Sequence, residues 1–203
     1  MVDTDVKAWL DMNRREIPRK ERWTAADLDR MPEDGLRYEV LNGQLVISAV
    51  PTPRHQWLIG SLGRALDAVL PPNRLVLAGV GVLIGDDEPI PDLMVMTDSI
   101  DLDARGIPAR QVELVVEVLS SSTTLQDRIV KPALYAAAGI PNYWRLEPHP
   151  FEDQLSGESV PVLFAHELGA ERTYELTHRV PANNAVTLRS PFEFTIDPGS
   201  LLP

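Results

Sequence analysis

The chain contains no cysteine. Disulfides and thiolate metal sites are therefore excluded, which fits a reducing compartment without requiring one. Basic residues are scarce, with 19 Lys and Arg against 30 Asp and Glu, a formal net charge of −11. That balance excludes a broad phosphate-binding surface, because nonspecific nucleic-acid affinity comes mainly from Lys and Arg displacing counterions. It leaves room for a local basic cleft. No stretch approaches the roughly 18 apolar residues of a membrane span. The N-terminal MVDTDVKAWLDMNRREIPRKERW lacks the apolar core of a signal peptide. Internal repeats and low-complexity tracts are absent too, so the expectation is a cytoplasmic protein without a membrane partner.

What the chain does have is length for one sizeable core, at 203 residues, and 18 prolines that should keep its elements short. Residues 1–22 read as a mobile leader, and the segment from Lys7 to Arg30 holds seven of the nineteen basic residues. WTAADLDRMP predicts a short helix capped by Thr24 and stopped at Pro32. LRYEVLNGQLVIS predicts a hairpin turning at Asn42-Gly43. A helix is expected from Pro53 to Leu70, with a stripe of Leu58, Leu62, Leu66 and Leu70. RLVLAGVGVLI and DLMVM read as strands, and residues 112–119 as a strand buried on both faces. Ser120 to Thr124 can cap a helix running to Ala138, with Gly139 closing it. PNYWRLE is a further strand, and after Pro150 short alternating runs predict an antiparallel β appendage. The order implies an α/β or α+β core, a central mixed sheet flanked by helices.

Two acids stand out against this apolar background. Glu117 interrupts LVVEVL, where a carboxylate loses its hydration and needs a cation or several donors in return. Asp92 lies at the mouth of the DLMVM strand, behind Pro91. On neighbouring strands the two would repel unless a cation joined them, and a hard divalent ion such as Mg²⁺ can do so while keeping water and phosphate ligands. The structural alternatives are a turn role for Asp92 and a buried arginine pair for Glu117.

Downstream, Asp127, Lys131 and Tyr135 share a helix face at four-residue spacing. Pro132 lacks a backbone donor and disfavours helix at Lys131, so the helix should bend or restart there and can aim the ammonium at the sheet. The plainer reading is an exposed Asp127–Lys131 pair. His55, in PRHQ, can contact a phosphate or a site carboxylate, or merely cap its helix. Tyr135 and Trp144 read as core anchors, and Asp98, Asp101 and Asp103 as a solvated loop. GVGVLIG lacks the ending of a phosphate loop and reads as strand.

Taken together, PD at 91–92, VVEVLS at 115–120, the DxxxK of 127–131, LYAAAGIP, and YW at 143–144 resemble the Uma-two family of endonucleases, with YEVLNGQLVI and PTPRHQ matching its N-terminal part. The resemblance covers about residues 23–148, expected as one nuclease domain, and leaves 149–203 as a β-rich extension packed on it. It implies a restriction-endonuclease-like core of the PD-(D/E)XK superfamily and Mg²⁺-dependent phosphodiester cleavage, with Mn²⁺ as a substitute and DNA as the expected substrate. On this resemblance Asp92 and Glu117 are metal ligands, the Val118 carbonyl a third, Lys131 the lysine that positions water, and Glu39 a further ligand or supporting acid. Leu119 stands where the superfamily usually has that lysine, and Asn142 where the family pattern has Glu. The rival readings are a catalytically silent nuclease fold serving binding or regulation, and a structural or oligomerisation protein. A homodimer is expected, since edge strands need cover.

Overall fold

The computed structural model describes residues 19–48, 50–97, 100–120 and 126–203, leaving aside the side chains of residues 126 and 127. Most of the expected leader, the capping residues Ser121 to Thr124, Asp98 and the Asp127 side chain lie outside the described residues.

The first described element is a 3-10 turn, Ala25–Arg30, tighter than the helix expected there. Asp27 accepts hydrogen bonds from the Thr24 backbone N–H and hydroxyl, at 3.0 and 3.1 Å. Strands β1 (Arg37–Leu41) and β2 (Gln44–Ser48) form the expected hairpin. Its turn places Asn42 and Gly43 at φ 53° and 74°, the paired left-handed geometry that suits a tight hairpin. Helix α1 (Pro53–Asp67) starts at Thr52, whose hydroxyl accepts from the His55 N–H, and buries Leu58, Ile59, Leu62 and Leu66.

RLVLAGVGVLI is not one strand. Gly79 adopts φ 64°, which turns the chain and splits the run into β3 (Leu75–Ala78) and β4 (Val82–Leu83). The split is a long-range matter. β3 pairs with β5 (Leu93–Met96), whereas β4 pairs with β6 (Ile107–Pro108) in a separate ribbon.

The central sheet is six-stranded, in the order β10-β9-β8-β7-β5-β3. Within it β7 (Val112–Val118) and β8 (Asn142–Glu147) run parallel and every other neighbouring pair is antiparallel, so the sheet is mixed. The parallel step from β7 to β8 is made by a π turn, Gln126–Val130, leading into helix α2 (Lys131–Ala138). Pro132 cannot donate to a carbonyl one turn back, and the wider turn ends where the regular helix begins, at Lys131. The expected restart therefore falls on that residue.

The runs after Pro150 are antiparallel, as expected, but two of them belong to the central sheet and not to an appendage. β9 (Val162–Leu168) and β10 (Tyr174–Pro181) extend the central sheet beyond β8. A last hairpin, β11 (Val186–Leu188) and β12 (Phe194–Ile196), joins the core against α1, with Phe194 stacked on Trp144 at 5.7 Å. That core lies on one side of the sheet, and a second, with Met94, Val115, Tyr135 and Tyr143, lies on the other, under α2.

Candidate active site

β5 and β7 pair Leu93 with Val116, so Asp92 and Glu117 occupy the next rung, opposite one another at the end of the ladder. Residues two apart share a strand face, which puts Glu117 with Val115, on the side covered by α2. Asp92 and Glu117 are 4% and 1% exposed, so both need partners in place of water.

The cation beside Glu117 is Lys131. Its Nζ stands 3.3 Å from Glu117 Oε1 and 3.0 Å from Glu39 Oε1, and donates to the Ile90 carbonyl at 3.1 Å. Tyr135, one turn along α2, donates its hydroxyl to Glu117 Oε1 at 2.8 Å. Tyr135 is thus a fully buried core residue whose polar end belongs to the site. Glu39 also accepts the Ile90 N–H at 2.7 Å, so a single residue before Pro91 serves both the acid and the lysine. Lys131 is buried and points at the sheet, unlike a lysine of an exposed pair.

Asp92 has a different set of neighbours. Its Oδ2 accepts the Val118 N–H at 2.8 Å and faces His55 Nε2 at 3.3 Å, while Oδ1 accepts from Arg37 Nη1 at 3.3 Å. His55 Nε2 also lies 2.8 Å from the Val118 carbonyl. Both neighbours of that nitrogen are oxygen acceptors, so it carries the hydrogen. Among the described residues His55 Nδ1 is buried without a hydrogen-bond partner.

Burial alone would raise the Asp92 pKa, but the hydrogen bond and charge of His55, the charge of Lys131 and the Val118 N–H together hold it below the usual carboxylate value. Burial likewise opposes a charged His55, yet Asp92 and the Val118 carbonyl outweigh it and raise the pKa above that of a free imidazole.

The structure thus brings Glu39, Asp92, Glu117, Val118, Lys131 and His55 to one place. Sequence reasoning missed Arg37, whose signal was its position two residues before Glu39 on the same face of β1. It also missed Ile90, which acts through main-chain atoms and leaves no side-chain signature. Asn142 stands apart from the acids, giving its amide to the Glu113 carbonyl at 3.0 Å and accepting from Ser190 at 3.0 Å. Asp101 caps the Asp103 N–H in an exposed turn, in keeping with a solvated loop.

Among the described residues, no three His, Asp or Glu side chains converge as a ready metal cage. The available donor set is smaller and hard: the paired carboxylates of Asp92 and Glu117 with the carbonyl of Val118. Such oxygens suit Mg²⁺, which binds through one or two carboxylates and keeps several waters.

The sequence model of the Uma2 family, described as "Putative restriction endonuclease", matches residues 25–197, a span that runs well past Pro150. Among solved structures, a "putative nuclease belonging to DUF820" from Anabaena variabilis superposes with a TM-score of 0.61. That pairing has 16% identity and covers 82% of this chain and 89% of the other, which establishes a common fold. No curated protein matches the sequence.

Proposed function

The chain belongs to the Uma2 family of restriction-endonuclease-like nucleases, and from that premise we propose that it hydrolyses phosphodiester bonds of DNA with the help of a divalent cation. The observation that carries the reading is the burial of Lys131 against Glu117 and Glu39, on the rung where Asp92 faces Glu117. A structural role alone would be met more cheaply by apolar packing, since buried ion pairs often cost as much as they return.

In this reading Asp92, Glu117 and the Val118 carbonyl would hold Mg²⁺, or Mn²⁺ in its place, which would supply Lewis acidity toward the phosphate and the attacking water. Lys131 then orients the attacking water and offsets charge on the phosphate. As the water oxygen bonds to phosphorus, the bond from phosphorus to the leaving oxygen breaks; the proton lost by the water passes to solvent, and the leaving oxygen takes one up from it. Glu39 pairs with Lys131, and Tyr135 holds Glu117 through its hydroxyl. His55, which lies beside both the Val118 carbonyl and Asp92, is placed to meet the substrate.

The test is a time course on single- and double-stranded DNA with Mg²⁺ or Mn²⁺, comparing the wild type with Asp92→Asn. Cleavage that Asp92→Asn abolishes supports the reading. Tight DNA binding without cleavage on any substrate would favour the silent binding module. A homodimer belongs to the same proposal, because β3 and β10 are the edges of the sheet and edges need cover; light scattering decides it.

A further inference from the structure

Lys131 is enclosed, with its side chain 3% exposed, whereas that of Arg37 is 28% exposed. Among the described residues Arg37 has one hydrogen-bond partner, Asp92 Oδ1, reached through Nη1. A guanidinium has five N–H donors in a planar fork, so most of its capacity is left over. It lines a cavity of about 580 Å³ between the Ala25–Arg30 turn and β1, together with Leu36, Gly79 and Ile90. A Cβ on Gly79 would stand 3.8 Å from Arg37 Nη2, so the glycine leaves that flank of the guanidinium open.

The other arginine of the cavity is already taken. Arg105 pairs with Glu88 at 2.7 Å and with Asp29 at 3.2 Å, and donates to the Ala25 carbonyl. Arg105 is thus one cation shared by two acids of the wall, Glu33 is a third acid there, and among the described residues Arg37 is the lining cation that meets only one carboxylate. Arg37 lines the cavity while its Nη1 holds the acid of the reacting centre.

We propose that Arg37 binds a nonbridging oxygen of the phosphate next to the one that is cut, with the adjoining nucleotide in this cavity. The proposal rests on the nuclease reading above and places the strand beside the site. A planar fork matched to phosphate oxygens is the group for that task. In a chain of net charge −11 few such contacts are available, so each should count. Arg37 would link binding to chemistry, because the guanidinium that grips the strand also fixes Asp92.

The experiment measures binding of labelled 12-mer single-stranded and duplex DNA in Ca²⁺ by fluorescence anisotropy across a salt series. Wild type is compared with Arg37→Gln and Arg37→Lys, and Mn²⁺ affinity is measured in parallel. Arg37→Gln is expected to lose at least tenfold in DNA affinity and about one phosphate contact in salt slope, roughly 0.7 on single strands or 0.9 on duplex. Its Mn²⁺ affinity should fall by less than its DNA affinity, since Asp92 keeps the Val118 N–H and His55, and Arg37→Lys should recover part of the binding. In the wild type, a methylphosphonate walked along the strand should weaken binding at one position, where Arg37→Gln is insensitive to it.

Undiminished DNA binding by Arg37→Gln, equal sensitivity of both proteins at every methylphosphonate position, or a loss confined to Mn²⁺ affinity would overturn the proposal and leave the nuclease reading standing. Failure of the wild type to bind or cut any DNA would remove both.

Discussion

Lys131 Nζ sits 3.0 Å from Glu39 Oε1 and 3.3 Å from Glu117 Oε1, so one ammonium from α2 closes two carboxylates brought from β1 and β7. On the proposed mechanism a divalent ion would bring positive charge of the kind this lysine supplies, and the two would share the site. The predictions below turn on that sharing.

Lys131→Met should retain Mn²⁺ binding and lose DNA cleavage, since the ammonium acts on water and phosphate. Without metal the variant should lose about 3–5 kcal/mol of stability, because two buried acids lose the cation they share. Mn²⁺ should restore part of that loss, giving a larger rise in melting temperature than in the wild type. Equal cleavage by both proteins would remove Lys131 from the mechanism.

Glu117→Gln should abolish Mn²⁺ binding and keep the fold. From the sequence alone, relief of repulsion with Asp92 suggests unchanged or greater stability. The contacts to Lys131 and Tyr135 reverse that expectation, to a loss of about 1–3 kcal/mol. Calorimetric titration reads the first effect and urea unfolding the second; unchanged Mn²⁺ affinity would mean that Glu117 is no ligand.

Tyr135→Phe keeps the core volume and deletes only the hydroxyl that donates to Glu117 at 2.8 Å. The expected cost is about 1–2 kcal/mol of stability. If the hydroxyl also fixes the Glu117 rotamer, cleavage should fall while substrate affinity holds. Wild-type kcat with reduced stability would confine Tyr135 to packing.

Away from the site, Arg179 grips Glu158 with two contacts of 2.6 Å and holds its pKa below the usual glutamate value. The sign follows from linkage: a depressed folded pKa stabilises above the unfolded value and is lost as pH falls through the folded one. Melting temperatures of Glu158→Gln should therefore lie below those of the wild type at neutral pH and converge with them below about pH 4. Parallel curves across that range would show that the pair contributes nothing.

By itself the sequence determined what local physics can carry. The leucine stripe of α1, the Asn42-Gly43 turn and the buried strand around Glu117 follow from periodicity and backbone preference. So does the restart at Lys131, because proline acts on its own turn. Asp92 and Glu117 were legible as candidates because an acid in an apolar run demands a partner, whatever that partner is.

Which partner each acid receives was decided only by the tertiary structure. Arg37 reaches Asp92 across 55 positions, and His55 reaches the Val118 carbonyl across 63. Ile90 enters through its main chain alone. The same holds for RLVLAGVGVLI, which is divided between two sheets, and for β9 and β10, which extend the central sheet past Pro150. Periodicity states that a face is buried. The choice of what covers it depends on which distant donors, acceptors and edges are satisfied together, and that is settled only when the whole chain packs.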